Sequence, residues 1–376
     1  MPNVFTTLAP TLFSAAQEVA AEPFGVVDSV NASFSDKGVA IGDTVTIPVA
    51  PVRAASDYTP AMTTTAGTDA TALSVPVTIS KNRHVSWNLT GEQMRSLENG
   101  GNYQEWVGQL IAQGMRTLRN ECEVDCAIAI KQGASRGIGT AGTTPFASNL
   151  DLMVDAHKIL RDNGAPMSDL QLCIDTAAGA NLRKLGIIQQ AYQAGSDEER
   201  RSGKLMRQFG FQIRDSAGIT THTKGTGTSY VTSGSTAAGV ADIAIVTGSG
   251  TVLAGDVVAF AADAVNKYII NTGVAAPGTI TLGKPGARVT IATANAMTIG
   301  ANYVPNLAFE RNAVVAVMRP PLIPANANIQ QRTISDGRGM TYLLVQVAGD
   351  GMVTWRLHLA WGFKVVQPEF VALLFG

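Results

Sequence analysis

In the middle of the chain, apolar side chains recur at intervals of three and four residues over about 30 positions. This spacing puts them on one face of an α-helix. The residues on that face are Tyr103, Trp106, Val107, Leu110, Ile111, Gly114, Leu118, Cys122, Cys126 and Ile130. The glycines Gly133, Gly137 and Gly139 follow and end the pattern. The sequence therefore predicts one helix over residues 102–133, roughly 45–50 Å long at 1.5 Å per residue.

The same spacing predicts shorter helices at residues 9–21, at residues 150–162 and from Thr176 towards Leu185. An apolar run, Leu170–Ile174, lies directly before the last of these and is typical of a short buried strand. A strand followed at once by a helix indicates a compact α/β domain. Ahead of the long helix, Thr90–Gln93 has the composition of a helix N-cap.

Strict alternation of apolar and polar residues predicts two strands nearer the start of the chain, Val45–Val49 and Val75–Ile79. A long stretch of small and polar residues separates them. The hairpin that they form is therefore too large to cover itself, and we expect it to lie across another body.

The composition changes at Gly218, after which residues 219–304 are rich in Thr, Gly, Ala and Val. Short strands separated by turn residues are predicted there at Ala241–Val246, Asp256–Phe260, Tyr268–Ile270, Thr279–Leu282 and Val289–Ile291. Five strands about ten residues apart indicate a small β-barrel or sandwich. Because the composition of the chain before Gly218 returns at Val304, we interpret this region as an independent unit inserted into a host domain.

The last part of the chain is predicted to be rich in strands. An apolar strand, Val314–Met318, ends before the double proline Pro320-Pro321, which cannot donate to a β-ladder. A hairpin follows, in which Met340–Val347 and Met352–Ala360 flank an Asp-Gly turn at residues 349–351.

Charged residues make up only 15% of the chain, against about 25% in typical soluble proteins, whereas hydrophobic residues make up 45%. A surface that commits so little charge to water suits a subunit of an assembly. The formal net charge is -1, and no basic tail or stripe is present. A DNA partner would therefore be enclosed rather than gripped through its phosphates.

The three cysteines are expected to be buried free thiols. Cys122 and Cys126 are one helical turn apart, which sets their Cβ atoms about 5–6 Å apart, beyond the roughly 3.5–4.5 Å that a disulfide prefers. Together with Cys173 they indicate a reducing compartment. No apolar run reaches the roughly 18 residues of a membrane span, and the first residues, 1–5, lack the features of a Sec signal.

The segment Pro305–Ala313, read as N-L-A-F-x-R-x-A from Asn306, closely resembles a phrase near the C-terminus of the coat proteins of tailed bacteriophages. The order of elements along the chain resembles the same family: N-terminal helix, long hairpin, long helix, α/β domain, β insertion, strand and hairpin. The subfamily has a shell fold of the Hong Kong ninety-seven type with an inserted β-domain, as in the coat of short-tailed Salmonella phages.

This resemblance implies an α+β capsid fold divided into named parts. Residues 1–36 would be an N-arm and 37–80 an extended loop that reaches over a neighbour. Residues 81–147 would be the peripheral domain, with the 102–133 helix as its spine. The inserted small β-barrel would be residues 219–304. The axial domain and the remaining peripheral strands would come from residues 148–218 and 305–376.

The function that the resemblance implies is that of a major capsid protein. Copies of the chain would assemble through pentamers and hexamers into the icosahedral head of a tailed phage. Scaffolding and portal proteins would be partners, and double-stranded DNA would be enclosed without sequence-specific binding. Assembly would take place in the cytoplasm of the host bacterium, with no membrane, no cofactor and no enzymatic activity.

In the founding member of the family, subunits of the shell are cross-linked covalently: a lysine in the extended loop attacks an asparagine of a neighbouring subunit. No lysine lies between Lys37 and Lys81 in this chain, so we expect subunits held by non-covalent interfaces. The charged run Asp197–Arg201, with Lys204 and Arg207, is expected to pair across subunits of one capsomer, although a solvated loop has the same composition. The candidate interface residues are Arg53, Asp57, Tyr58, Asp197, Glu198, Glu199, Arg200, Arg201, Lys204 and Arg207.

Motifs that would indicate an enzyme are absent or incomplete. Gly278–Pro285 has the glycine and lysine spacing of a phosphate-binding loop, but Pro285 replaces the Ser or Thr that ligates Mg²⁺, so a β-strand is predicted instead. The four histidines show no paired spacing for a metal or for activating a nucleophile. Among them, His222 is expected to be exposed and His358 to be a packed or edge residue.

Two other classes of protein remain open. An encapsulin-type compartment shell would share the fold, but the β insertion and the long N-terminal arm favour a phage. A surface adhesin or carbohydrate-binding β protein would suit the Thr- and Gly-rich residues 219–304. The missing secretion signal and the 30-residue helix are arguments against that class.

Overall fold

A computed structural model describes residues 15, 16, 19, 25–34, 37–49, 55, 73–101, 103–189, 205, 207–324, 329–335 and 340–376. Within these ranges the helices are α1 (Gly91–Asn99), α2 (Tyr103–Gln132), α3 (Asp151–Asp162), α4 (Thr176–Lys184) and α5 (Gly186–Gln189). No helix in the described ranges has the length and apolar character needed to cross a membrane.

Nineteen strands complete the described secondary structure. They are β1 (Asn31–Phe34), β2 (Thr44–Val49), β3 (Leu73–Thr78), β4 (Lys81–Thr90), β5 (Arg136–Gly139), β6 (Leu170–Asp175), β7 (Phe211–Ser216), β8 (Val231–Thr232), β9 (Asp242–Val246), β10 (Val257–Phe260), β11 (Asp263–Thr272), β12 (Gly278–Leu282), β13 (Met297–Ile299), β14 (Pro305–Glu310), β15 (Val314–Arg319), β16 (Ile329–Ser335), β17 (Thr341–Ala348), β18 (Met352–Val365) and β19 (Val371–Phe375).

The long helix predicted for residues 102–133 is confirmed as α2. The N-cap at Thr90 belongs to a separate short helix, α1, which precedes it. There the hydroxyl of Thr90 accepts the N–H of Gln93, and the Gln93 side chain accepts the N–H of Thr90. This reciprocal capping starts α1 in the place that the sequence indicates. Of the helix predicted at residues 9–21, Ala15, Ala16 and Val19 are described, and all three are helical and buried.

A six-stranded sheet packs against one face of α2. Its order is β1-β15-β18-β17-β16, with β4 also paired to β18. The alternate residues Trp355, Leu357, Leu359 and Trp361 of β18 enter the same apolar cluster as the helix. Helix and sheet approach closely at Gly114, where a Cβ atom would lie 3.4 Å from the Leu357 side chain. The large aromatic and aliphatic residues on this face therefore form the main core.

The second sheet has eleven strands and runs in the order β7-β6-β14-β19-β5-β11-β12-β9-β8, with β10 and β13 attached beside β11. Helices α3, α4 and α5 supply most of the other side chains of the apolar cluster on its first strands. All six residues of β14 are buried, including the polar Asn306 and Glu310. Most of the segment Pro305–Ala313, which resembles the phage coat proteins, thus forms a central strand, β14, paired to both β6 and β19.

Residues 219–304 have an apolar cluster of their own, but their backbone joins the rest of the fold. Strand β11 pairs with β5, with Lys267 opposite Gly137 and Tyr268 opposite Arg136. The predicted inserted unit therefore shares a sheet with the rest of the fold, and its independence stays a prediction. The strand predicted at Val289–Ile291 is wrong, because only a single bridge from Ile291 to Thr236 forms there. The strand at Met297–Ile299 was not predicted.

The predicted hairpin is present as β2 and β3, which form a two-stranded sheet of their own. Their register runs from Thr44 opposite Thr78 to Val49 opposite Leu73. Along β2, exposed and half-buried residues alternate. One face of the hairpin is therefore only partly covered by the chain itself.

Candidate functional site

A buried carboxylate in the middle of α2 anchors the segment that follows the N-terminal region. The Glu123 side chain is 3% exposed. Its Oε1 atom accepts the backbone N–H groups of Gly25 at 2.8 Å and Val26 at 2.6 Å, and its Oε2 atom accepts that of Val27 at 2.8 Å. The hydroxyl of Ser216 at the end of β7 donates to Oε1 at 2.7 Å. Four donors around one carboxylate compensate for its removal from water.

A buried arginine one helical turn earlier reinforces this anchor. The guanidinium of Arg119 donates to the Asp28 carboxylate at 3.1 Å and to the carbonyl of Val19 at 3.4 Å. Asp28 also lies 3.8 Å from a guanidinium nitrogen of Arg214 on β7. We name residues 25–30 and the side chains of Arg119 and Glu123 the N-terminal anchor. It ties the early chain to both the long helix and the eleven-stranded sheet.

The cysteines are buried and free, as the sequence predicts. Burial raises the pKa of the Cys173 thiol to about 12, partly offset by a hydrogen bond to Ser29. Burial likewise raises the pKa values of Cys122 and Cys126 well above the ordinary value, and nearby carboxylates add to the effect. All three thiols therefore stay protonated at neutral pH, and they act as packing groups rather than nucleophiles.

A second polar cluster joins residues 219–304 to the end of α2. The Nδ1 atom of His222 lies 3.1 Å from Nζ of Lys131, and its Nε2 atom lies 2.8 Å from Oδ1 of Asp256. Asp256 also accepts the backbone N–H groups of Gly225 and Leu253. Lys131, His222 and Asp256 are all buried. We name these three side chains the insertion junction.

The directions of the two hydrogen bonds at the His222 ring follow from the groups beside it. A lysine ammonium has no acceptor, so Nδ1 of His222 accepts from it and Nε2–H donates to Asp256. Burial lowers the pKa of Lys131, and the charge of Asp256 opposes that shift. The prediction that His222 is exposed is wrong. Its backbone N–H donates to the carbonyl of Tyr303 at 2.8 Å, and the rings of the two residues lie against each other. The two ends of the inserted region therefore meet at His222.

A third set of contacts holds the base of the hairpin. The Asp125 carboxylate on α2 accepts Nζ of Lys81 at 2.7 Å and Nε1 of Trp361 at 2.8 Å. The N–H of Ser80 donates to the carbonyl of Trp361 at 3.0 Å. Next to it, Gly362 passes so close to Thr78 that a Cβ atom would lie 2.1 Å from the Thr78 carbonyl oxygen. The foot of the hairpin is therefore fixed to β18.

Two large apolar side chains are exposed near this foot. Ile41 is 64% exposed and Leu322 is 76% exposed. They belong to neighbouring segments, because the N–H of Leu322 donates to the carbonyl of Val39 at 3.0 Å. Neither residue was predicted to be part of an interface, since isolated apolar residues in loops carry no periodic signal.

Most of the predicted interface residues lie outside the described ranges. These are Arg53, Asp57, Tyr58, Asp197, Glu198, Glu199, Arg200, Arg201 and Lys204. Arg207 is described and exposed, and its guanidinium donates to the carbonyls of Gly210 and Ser168 at 3.0 Å each. Its role in contacts between subunits stays a prediction.

The anchoring residues Glu123, Lys131 and Asp256 were not singled out in the sequence. One signal was available for Glu123 and for Arg119 of the same anchor. Arg119 and Glu123 interrupt the apolar stripe of α2 beside Leu118 and Cys122, and charged groups in such a stripe are buried only when paired. Asp256 had no comparable signal, because its partners come from loops distant in sequence.

No family model matches this chain, and no curated protein matches it. Solved structures do match. The capsid of the cyanophage P-SCSP1u is similar over 94% of this chain and 89% of that chain, with a TM-score of 0.50 and 13% identity. A structure from Mycobacterium phage Che8 covers 89% and 84%, with a TM-score of 0.46 and 14% identity. The virus-like particle from Pyrococcus furiosus covers 97% and 98%, with a TM-score of 0.41 and 9% identity. The likeness to the cyanophage capsid shows a shared fold.

Proposed function

We propose that this chain is the major capsid protein of a tailed phage and assembles into the icosahedral shell that encloses double-stranded DNA. The observation that carries the proposal is the likeness in fold to the cyanophage P-SCSP1u capsid over 94% of the chain. Folds host many functions, so features of this chain itself must also agree with a shell subunit.

The hairpin β2–β3 is the first such feature. Its strands pair with each other and with no other strand of the described residues. A two-stranded hairpin is marginally stable in water unless something covers it. Its anchored foot and its partly covered face support a role in reaching over a neighbouring copy.

The exposed apolar residues at the foot of the hairpin are a second feature. Ile41 and Leu322 are largely exposed, and Val45 and Ile47 of β2 are only partly buried against the small apolar cluster at the foot of the hairpin. Obligate interfaces bury roughly 2,000–5,000 Å² and are richer in apolar groups than transient ones. The low charge content of the chain agrees with such contacts.

The named parts of the capsid fold then map onto the chain as the family resemblance implies. The N-arm is residues 1–36, the extended loop 37–80 and the peripheral domain 81–147. The insertion is residues 219–304, and the axial domain with the remaining peripheral strands takes residues 148–218 and 305–376. Scaffolding and portal proteins are the expected partners, and the protein is structural rather than catalytic.

Electron microscopy of the expressed protein in negative stain tests the proposal. Closed shells, tubes or open polymeric sheets are the expected result, with DNA as the content of particles isolated from an infected host. A monomer that stays dispersed at high concentration, with and without a scaffolding protein, contradicts it. Particles filled with an enzyme instead of DNA identify an encapsulin-type compartment.

A further inference from the structure

Two histidines that are far apart in sequence lie side by side on the six-stranded sheet. His84 on β4 is directly opposite His358 on β18 in the antiparallel register. Their ring centroids are 5.1 Å apart and their planes are tilted by 32°. The neighbouring residues of β18, Leu357 and Leu359, point to the core, so the two rings lie on the opposite face of the sheet.

One ring nitrogen of this pair is unused. The Nε2 atom of His358 is buried and has no hydrogen-bond partner within the described residues. An imidazole nitrogen shielded from water without a partner has a cost in folding free energy, and native structures rarely leave one in place without a reason. His84 beside it is exposed, so one side of the pair faces solvent.

We propose that His84 and His358 form a binding site for a divalent transition-metal ion of the Zn²⁺, Ni²⁺ or Cu²⁺ class. Neutral imidazole nitrogens suit these ions. Two imidazoles on one tetrahedral ion, each with a metal–nitrogen distance of about 2.0–2.1 Å, have ring centroids about 5 Å apart. The spacing in the structure agrees with that value before any ion is bound.

The surroundings determine what kind of site this is. Residues of β4 and β18 on the same face near the rings are Asn82, Ser86, Thr354 and Arg356, and none of them is a carboxylate. No group of three or more histidine, cysteine or acidic side chains forms a metal site in the described residues. The ion therefore keeps open positions for water or for a carboxylate of a neighbouring molecule. The exposed Arg356 opposes a second positive charge, which favours an ion that shares its site with an anion.

Isothermal titration of untagged full-length protein with Zn²⁺, and separately with Ni²⁺, tests the proposal. One saturable site per chain is expected in the unmodified protein. His84→Gln and His358→Gln each remove a ligand. Because loss of an outer partner alone weakens metal affinity about 10–100-fold, loss of either ring is expected to weaken it at least as much. His157→Gln is the matched control, since His157 lies on α3, beside Phe211 of the apolar cluster on the other sheet.

A second readout keeps the test valid if His358→Gln fails to fold. His84 is exposed, so His84→Gln is expected to fold normally, and Zn²⁺ should raise the melting temperature of the unmodified protein but not of this variant. The proposal is overturned if no saturable binding is found. It is also overturned if His84→Gln binds as tightly as His157→Gln.

Discussion

The backbone N–H of Val26 donates a 2.6 Å hydrogen bond to the buried carboxylate of Glu123, 97 residues further along the chain. Gly25 and Val27 donate to the same carboxylate. Three consecutive backbone amides donate to this one side chain and so fix the position of residues 25–27 against the long helix. The N-terminal anchor therefore joins residues 25–30 to α2 and, through the hydroxyl of Ser216, to the eleven-stranded sheet.

Glu123→Gln is expected to lower the free energy of unfolding by about 2–4 kcal/mol. A carboxamide keeps one acceptor oxygen but turns an NH₂ group towards backbone donors. Urea unfolding of the full chain measures the loss. Glu121→Gln is the control on the same helix, because Glu121 is 44% exposed and pairs with exposed Arg83, so its loss should be at most about 1 kcal/mol. Equal losses in the two variants would contradict the anchor.

Asp256→Asn is expected to loosen the insertion junction. The variant loses the charged acceptor for His222, Gly225 and Leu253, at a cost of about 2–3 kcal/mol. Hydrogen exchange should speed up at the amides of Gly225 and Leu253, while the amide of Val26 in the N-terminal anchor stays protected. Asp242→Asn is the control, since exposed Asp242 accepts the hydroxyl of Thr281 at the surface. Unchanged exchange at both amides would show that the junction does not hold this region.

Gly362→Ala is expected to dislodge the foot of the hairpin. Its Cβ atom would lie 2.1 Å from the Thr78 carbonyl oxygen, and backbone on both sides cannot yield as a flexible side chain would. A cost of about 1–3 kcal/mol or more follows from such overpacking. Thermal unfolding and exchange at the Ser80 amide measure it. Gly91→Ala, where a Cβ meets nothing within 4 Å, should be neutral or slightly stabilising in its helix; a similar loss there would remove the explanation.

Stability is expected to depend on pH through Glu310. Burial raises the pKa of this carboxyl, although hydrogen bonds from Asn312 oppose the shift. The folded carboxyl therefore takes up its proton at a higher pH than the unfolded one, so its contribution to stability is present at low pH and is lost as pH rises.

The free energies of unfolding of the unmodified chain and of Glu310→Gln, each measured at neutral pH and at about pH 5, give this difference. The unmodified chain should gain stability relative to the variant at the lower pH. Exposed Glu98 supplies the control Glu98→Gln, which should show no such relative gain. A difference that moves in the opposite direction would mean that the hydrogen bonds from Asn312 outweigh burial.

Mature particles are expected to contain no covalent links between subunits. Residues 38–80 hold no lysine, so the predicted extended loop has no amine to attack a neighbour. Denaturing gel electrophoresis under reducing conditions should give a single monomer band from shells. The reductant serves as the internal control, because it removes any disulfides formed by the three cysteines after unfolding. A ladder of multimers in its presence would refute the prediction.

Periodicity was sufficient for the longest regular elements. The α2 helix, the β2–β3 hairpin and the C-terminal hairpin β17–β18 were predicted at nearly their observed positions, because each carries a long regular pattern. Short strands were less certain. Val289–Ile291 has the composition of a strand, but only Ile291 finds a partner there.

The sequence by itself determined the order of the elements, the buried thiols and the low surface charge of this protein. These depend on local spacing and composition, which the chain carries wherever it folds. Only the tertiary structure decided that His222 is buried between Lys131 and Asp256, and that strand β11 joins β5. It alone also placed His84 opposite His358. Such pairings depend on strand register and on loops that meet across the fold. Neither can be predicted from the spacing of residues along the chain.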